Sequence, residues 1–384
     1  MMMRKRTSKI AALLSLLVLG TSGCVQSGSS EQPDWIQPRV RTGSGLLQKK
    51  LFMNLSNIGS VTDIQRGELR SPGKIELGIA GKYGARFFDD HNKPDASVDF
   101  AVPESGGTSV ASEIVRQSRS IGPLFFRHAF AYDSLLDSTG KEIWRTTYRP
   151  NASTFGYVGP NGSPEFFFGN GSSVEARNVS GAVVWQTSGV GWSDRCELLD
   201  SKDAERRLLV ESGGTLITLS LSGDILSRKK PASEVAKAFS DFSVLHWPPV
   251  CQPDCLLVSD HDKFFLLSSD AQTVVTSLAP ATFAMNARGL AVRLYENEPP
   301  LLAVAGLLPY KGGQWVGFKA VHGALYIFDA HGNLVYHEVL SEPVKALGAL
   351  PAADGKSETL LVGGEDKVWQ YTAVQGSSTP KPSK

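Results

Sequence analysis

One phrase recurs seven times between Ile75 and Trp369: an apolar strand pattern, a glycine-bearing turn, a second strand pattern, then Asp/Asn/Ser-x-x-Gly leading into a third. The anchors of the apolar strand are Leu77, Phe125, Phe166, Leu208, Leu256, Leu301 and Leu360. Their spacings are 48, 41, 42, 48, 45 and 59 residues, five of which fit the period of about 40 to 50 residues of a four-stranded blade. The sequence predicts an all-β fold, a seven-bladed β-propeller of four-stranded blades.

The one long spacing marks an insertion into a blade, LLPYKGGQWVGFKAVHG at 307–323. Aromatic and basic side chains on a loop that no blade needs are typical of partner surfaces. We therefore expect a protein partner to contact Tyr310, Lys311, Trp315, Phe318 and Lys319. The alternative is that Trp315 and Phe318 pack back onto the neighbouring blade. A second loop of this kind is expected at 239–249, with Phe242, His246 and Trp247.

The last repeat contains only three strand patterns before the chain ends, whereas LLQKKLFMNL at 46–55 precedes the first repeat. We expect 46–55 to supply the missing strand and to close the ring, because closure removes exposed sheet edges. PASEVAKAF at 231–239 carries the only helical pattern, with Pro231 in the first turn and an apolar stripe that includes Val235 and Phe239.

The N-terminus has the order of a signal peptide at 1–23: basic residues, an apolar run from Ile10 to Leu19, and small residues before Cys24. This order resembles a bacterial lipoprotein signal, which implies lipidation of Cys24 and an exported protein anchored in a membrane. Val25 stands where inner-membrane lipoproteins often carry Asp, so the resemblance implies the outer membrane, facing the periplasm. An ordinary secretory signal is the alternative.

Polar, Ser-, Gly- and Pro-containing segments flank the repeats and predict a flexible tether at 24–45 and a disordered tail at 376–384. The propeller is expected to occupy 46–375. The chain has 39 basic and 38 acidic residues, and four basic ones lie in the signal, so the remainder carries 35 against 38. A net charge of −3 without a basic stripe argues against nucleic acid as a partner.

Two kinds of propeller repeat resemble these units. DSTGKEIW at 137–144 and RNVSGAVVW at 177–185 resemble the repeats of pyrroloquinoline-quinone-type propellers, in which a docking Trp follows a glycine turn. PNGSPEFFFGNG at 160–171 and ADGKSETLLVGG at 353–364 are similar to FG-GAP repeats. The loops lack the carboxylates that FG-GAP repeats use for calcium, and no adjacent cysteine pair of the quinoprotein type occurs. The resemblance therefore implies fold, not a cofactor.

Three cysteines remain besides Cys24. Cys251 and Cys255 flank a turn-forming trio, and export permits disulfides, so we expect a disulfide between them with Cys196 as a buried thiol. The pattern His246-x4-Cys251-x3-Cys255-x5-His261 leaves a copper or zinc site as the alternative. We expect no bound metal or cofactor.

No catalytic motif is recognisable among the scattered histidines. The sequence therefore indicates a non-enzymatic, lipid-anchored binding or scaffold module of the bacterial cell envelope. The alternatives are a quinone- or metal-dependent redox enzyme and an envelope glycan-binding module.

The lipoprotein interpretation predicts that Cys24→Ala releases the protein from the membrane fraction, because the anchoring lipid would have no cysteine sulfur to which it could be attached. Immunoblotting of membrane and soluble fractions measures this. Unchanged membrane association of the variant would contradict a lipid anchor at Cys24.

Overall fold

The computed structural model describes residues 39–55, 57–101, 109–116, 122–199, 205–237, 239–248, 250–260, 263–279, 285–308, 322–352 and 355–374. They form seven antiparallel sheets in a ring, as predicted. Apart from one 3₁₀ turn at Pro160–Gly162, every regular element in these residues is a strand. None of the described segments forms an apolar helix long enough to span a membrane.

Two strands precede the first repeat, β1 (Arg39–Thr42) and β2 (Leu47–Asn54). Blade 1 contains β3 (Val61–Glu68), β4 (Ile75–Gly81), β5 (Gly84–Phe88) and β6 (Pro94–Asp99). Blade 2 contains β7 (Ser109–Val115), β8 (Leu124–Ala129), β9 (Asp133–Leu136) and β10 (Glu142–Arg145). Blade 3 contains β11 (Ala152–Gly156), β12 (Glu165–Asn170), β13 (Ser173–Arg177) and β14 (Val183–Ser188). Blade 4 contains β15 (Ser193–Leu199), β16 (Arg207–Ser212), β17 (Leu216–Leu219) and β18 (Ile225–Lys229).

Blade 5 contains β19 (Phe242–Leu245), β20 (Cys255–Asp260), β21 (Lys263–Ser268) and β22 (Val274–Leu278). Blade 6 contains β23 (Met285–Val292), β24 (Leu301–Leu307), β25 (Gly323–Phe328) and β26 (Leu334–Leu340). Blade 7 contains β27 (Ala346–Pro351), β28 (Glu358–Gly363) and β29 (Lys367–Ala373). In each blade the first of these strands is innermost, and each of the seven anchors lies on the second strand.

The second strands are buried on both faces because each blade is packed between two others. Successive side chains of a strand point to opposite faces. In β8, Phe125 therefore packs with blade 1 residues, whereas Phe126 packs with Phe166 and Phe168 of blade 3. Phe167 faces the other way, into blade 4. This two-sided burial explains why the anchor segments are continuously apolar rather than alternating.

Seven separate hydrophobic clusters result, one at each interface between neighbouring blades. The cluster between blades 7 and 1 joins Leu361 and Val368 to Leu77 and Ile79. The ring therefore closes through the same kind of apolar packing that joins consecutive blades.

The predicted closing strand is present. β2 pairs antiparallel with β29 from Leu47 opposite Ala373 to Asn54 opposite Lys367, and it forms the outer strand of blade 7. Part of the expected tether is also ordered as a strand: β1 pairs with the outer strand β26 and gives blade 6 a fifth strand. The β-branched residue Thr42 suits that pairing.

The Asp/Asn/Ser-x-x-Gly phrases form the hairpin turns between third and fourth strands. Asp137 Oδ1 accepts hydrogen bonds from the backbone N–H groups of Thr139 (2.8 Å) and Lys141 (3.0 Å). Asp89, Asn178 and Asp329 make the same pair of bonds in blades 1, 3 and 6. Short polar side chains that bond to nearby backbone groups fix turns in this way.

Two tryptophans dock one blade on the next blade's hairpin turn. The Trp144 indole N–H of blade 2 donates to Val179 O (2.9 Å) in blade 3, and Trp185 of blade 3 donates to Leu221 O (2.7 Å) in blade 4. Gly181 lies under the Trp144 ring, where a β-carbon would approach the ring within 2.8 Å. The Trp and the Gly of the repeat therefore act together across a blade interface.

Two expectations were wrong. Residues 231–239 form turns in their described part, because the N–H of Val235 bonds to Ala232 O, three residues back, and a segment this short cannot propagate a helix. The expected surface loop at 239–249 is also wrong for its aromatics: Phe239, Phe242 and Trp247 are at most 2% exposed and belong to the inter-blade cores.

We predict that Gly181→Ala lowers the free energy of unfolding by more than Gly171→Ala. Both glycines have positive φ (+81° and +55°), so each substitution costs roughly 1 kcal/mol in backbone strain. A β-carbon at 181 would also push the Trp144 ring away, which adds about 1 to 3 kcal/mol, whereas nothing lies within 4 Å of one at 171. Urea denaturation measures the difference, and equal losses would contradict the docking role of Trp144.

Candidate functional site: a charged central cavity

The innermost strands of all seven blades enclose a cavity of about 640 Å³, which we call the central cavity. Its lining comes from β3, β7, β11, β15, β19, β23 and β27, together with residues that precede them and the turn after β8. The cavity therefore lies on the ring axis, at the end where the innermost strands begin. Because the second strand of each blade runs antiparallel to the first, the turns between second and third strands lie at this same end, the cavity face.

The wall of the central cavity is charged although the blades are apolar. In ring order, blades 1, 2, 4, 6 and 7 contribute Asp63, Glu113, Arg195 with Glu197, Arg288 and Lys345. Blades 3 and 5 contribute the hydroxyl groups of Ser153 and Ser243. Pockets that gather opposite charges from separate chain segments are typical binding or active sites.

His128 contacts three polar side chains of the cavity wall through its two ring nitrogens. Its Nε2 lies 3.2 Å from Glu113 Oε1, and its Nδ1 lies 3.3 Å from Asp133 Oδ2 and 3.1 Å from Ser153 Oγ. The Ser153 hydroxyl also donates to Asp133. Burial alone would lower the pKa of His128, but the charges and hydrogen bonds of Asp133 and Glu113 outweigh it and raise the pKa to about 10.

A serine, a histidine and an aspartate in contact have the composition of a hydrolytic triad, but the protonation state differs. With a pKa of about 10, His128 is an imidazolium ion at neutral pH and both ring nitrogens donate. The geometry differs as well, because Asp133 and Ser153 lie on the same ring nitrogen, Nδ1, and the Ser153 hydroxyl donates to Asp133, whereas a catalytic serine donates to the ring nitrogen opposite its acid. The group places a protonated imidazole and a hydroxyl in the cavity wall.

Asp63 is a carboxyl group of the cavity wall with hydrogen-bond donors but no cation from the described part of the chain bonded to it. Its Oδ2 accepts hydrogen bonds from Ile114 N and Gln65 Nε2, both at 2.8 Å. Burial, and then the negative charge of Glu113, raise the pKa of Asp63 to about 7. The protein thus keeps a carboxylate whose ionisation opposes folding, which is a mark of functional rather than structural residues.

The cations of the wall are also incompletely paired. Arg195 donates to Glu197 and to Phe242 O (3.0 Å), and it shares Asp241 with Arg288 at 3.7 and 4.0 Å. Burial and the neighbouring charge of Arg195 lower the pKa of Arg288. Burial, and then Lys82, lower the pKa of Lys345.

Exposed aromatic residues lie on the cavity face, and one of them, Phe130, also lines the cavity. Tyr83, Phe130 and Trp192 are 49, 50 and 63% exposed and are the only aromatics among the large exposed hydrophobic side chains of the described residues. Tyr83 and Phe130 lie in second-to-third strand turns and Trp192 just before β15, so all three lie on the cavity face. Lys82 Nζ is 5.3 Å from the Tyr83 ring, and the Arg149 guanidinium is 4.5 Å from the Phe130 ring.

The predicted partner residues Tyr310, Lys311, Trp315, Phe318 and Lys319 lie outside the described residues, as do Cys24 and His261. The residues that flank the insertion are described: it leaves β24 at Leu307 and returns at Gly323, with Leu308 N bonded to His322 O (3.2 Å). This connection joins second and third strands, so its base lies on the cavity face.

Cys251 and Cys255 are joined by a disulfide with their Cα atoms 5.3 Å apart, and neither residue belongs to the cavity lining. His246 Nδ1 lies 2.8 Å from Pro253 O and 3.1 Å from Asp254 Oδ1. Within the described ranges, no three His, Cys, Asp or Glu side chains converge as a metal site would require. Cys196 is a free, buried thiol whose pKa burial raises to about 12.

The charged wall was missed in the sequence, although a signal for it exists. Asp63, Glu113, Ser153, Arg195, Ser243, Arg288 and Lys345 precede the anchors of their blades by 12 to 15 residues. The repeat therefore carries a polar position at the innermost strand that is visible only when the blades are aligned on their anchors.

No protein-family model and no curated protein matches this chain. Solved structures do match it. BBS1N, in its complex with ARL6DN, is 12% identical with a TM-score of 0.54 over 88% of this chain and 99% of its own. Virginiamycin B lyase from Staphylococcus aureus is 15% identical (TM-score 0.54; 85 and 99%), and a streptogramin B lyase is 12% identical (TM-score 0.51; 86 and 98%). These similarities show the β-propeller fold alone.

We predict that Asp63→Asn stabilises the protein at pH 8. The pKa of Asp63 is higher in the folded state than in the unfolded state. The contribution of this group to the free energy of unfolding is therefore fully present below the unfolded pKa of 3.8 and is lost as pH rises through about 7. Each pH unit in that window costs up to about 1.4 kcal/mol. Urea denaturation should show a gain for the variant that is largest at pH 8 and shrinks towards pH 4. A gain independent of pH would contradict this account.

Proposed function

We propose that this protein is an exported, lipid-anchored, non-enzymatic binding module that contacts a protein partner with its cavity face. The observation that carries the proposal is that Tyr83, Phe130 and Trp192 are exposed and lie on the cavity face. Aromatic and arginine side chains supply most of the energy of protein interfaces. Here they occur together, since Arg149 stacks on Phe130.

The other exposed hydrophobic residues do not form a rival surface. Those on the outer strands are aliphatic and are distributed over five blades, with at most two on one blade: Leu51, Ile143, Val183, Val184, Ile225, Leu226 and Val275. Single exposed aliphatic residues are normal on protein surfaces. Exposed aromatic residues therefore distinguish the cavity face from the outer strands of the blades, which we call the rim.

Two further observations support a protein partner. The only long insertion in a blade starts and ends on the cavity face, and its sequence is rich in aromatic and basic residues. BBS1N, which shares the fold, was crystallised with ARL6DN, so propellers of this architecture do bind proteins. The anchor and the envelope location rest on the signal-like sequence that ends at Cys24.

The test is partner recovery from detergent-extracted membranes after cross-linking. Phe130→Ala with Trp192→Ala should weaken binding by about 2 kcal/mol or more, because large aromatic contacts are lost. Val184→Ala with Leu226→Ala removes side chains that are 50 and 48% exposed on the rim and serves as the control. Quantitative mass spectrometry compares the proteins recovered with each variant.

Both double variants should remain folded, since all four side chains are exposed. Equal recovery by the two variants, or loss confined to the rim variant, would show that the cavity face is not the partner surface.

A further inference from the structure

The central cavity contains charges that the protein itself leaves without counter-ions. Among the described residues, no Lys, Arg or His nitrogen lies within 4 Å of Asp63, and no Asp or Glu oxygen lies within 4 Å of Lys345 Nζ. Among the described residues, the only carboxylate paired with Arg288 is that of Asp241, at 4.0 Å, and Arg195 shares it at 3.7 Å. Isolated charges away from bulk water are unfavourable unless a partner is supplied.

Positive and negative groups occupy different parts of the cavity wall. Blades 6, 7, 1 and 2 are consecutive in the closed ring and present Arg288, Lys345, Asp63 and Glu113 in that order. The arc therefore has two adjacent cations, then Asp63, which has no cation beside it in the described ranges, and then Glu113, which is already paired with His128 at 3.2 Å. The opposite wall differs, since Arg195 is bonded to Glu197 within blade 4.

The lowered pKa values of Lys345 and Arg288 and the raised pKa of Asp63 agree with this arrangement. In all three cases burial comes first among the causes, and a like charge adds to it. A ligand charge of opposite sign would stabilise the charged form of each of these groups.

We propose that the central cavity binds a small zwitterion, with its carboxylate between Arg288 and Lys345 and its ammonium group beside Asp63. A ligand with a single charge would satisfy one half of the arc and leave the other unpaired. A volume of about 640 Å³ is within the range of small-molecule sites. The charged groups of this site are not the aromatic residues proposed for partner binding, so different variants test the two proposals.

The probes are molecules that share a four-carbon chain: 4-aminobutyrate carries both charges, butylamine only the cation and butyrate only the anion. Isothermal titration calorimetry at pH 8 with the detergent-solubilised full-length protein compares them. The zwitterion should bind at least about 10-fold more tightly than either single-charge probe, because two charge-assisted contacts form instead of one. Glycine, β-alanine and 6-aminohexanoate then measure the preferred separation of the charges.

Two variants separate the two ends of the site. Asp63→Asn should reduce 4-aminobutyrate affinity by about 10-fold or more and leave butyrate binding unchanged, since only the ammonium contact is lost. Lys345→Met should reduce zwitterion and butyrate affinity and leave butylamine binding unchanged. Asp194→Asn, in the same cavity but outside the arc, is the control and should change affinity less than about twofold.

Thermal unfolding of each variant without ligand confirms that it is folded. Failure of every zwitterion in the series to bind overturns the proposal, as does binding that Asp63→Asn and Lys345→Met leave unaltered. Equal affinity for butyrate and 4-aminobutyrate would show an anion site and would also overturn it.

Discussion

Apolar packing between blades is the interaction on which the whole structure depends. A four-stranded blade whose second strand contains a run of apolar residues, such as Leu124–Phe126 in β8 or Phe166–Phe168 in β12, has two hydrophobic faces and cannot bury either by itself. Each face is covered only when a neighbour packs on it, so the ring must close. Closure places Leu77 and Ile79 of blade 1 against Leu361 of blade 7, and β2 completes the outer edge of that last blade.

The same constraint creates the central cavity. Seven innermost strands that surround one axis cannot all bury their axial side chains against a neighbour, since the neighbours on that side are across the opening. Polar residues are tolerated there, and the chain uses the positions for Asp63, Glu113, Arg288 and Lys345. The incomplete pairing of these groups costs stability that closer ion pairs would have avoided, so their arrangement is better explained by binding than by folding.

The cavity and the aromatic residues around it are parts of one face. Tyr83, Phe130 and Trp192 lie at loop positions that the ring geometry brings to the end where the innermost strands begin. A protein partner on this face would cover the cavity mouth. Occupancy of the cavity and binding of the partner would then be coupled, since groups such as Arg149 and Phe130 belong to both.

The sequence by itself determined the architecture, because the repeat period, the apolar anchors and the turn residues such as Asp137 are local patterns that fix strands and hairpins. It also indicated the closing strand at 46–55, since one blade lacked a strand. Only the tertiary structure decided the surroundings of each side chain: Trp247 and Phe242, expected on a surface loop, lie in the core, whereas Asp63 and Lys345 both line the central cavity. Those residues are separated by 282 positions, and only the closed ring makes their blades neighbours.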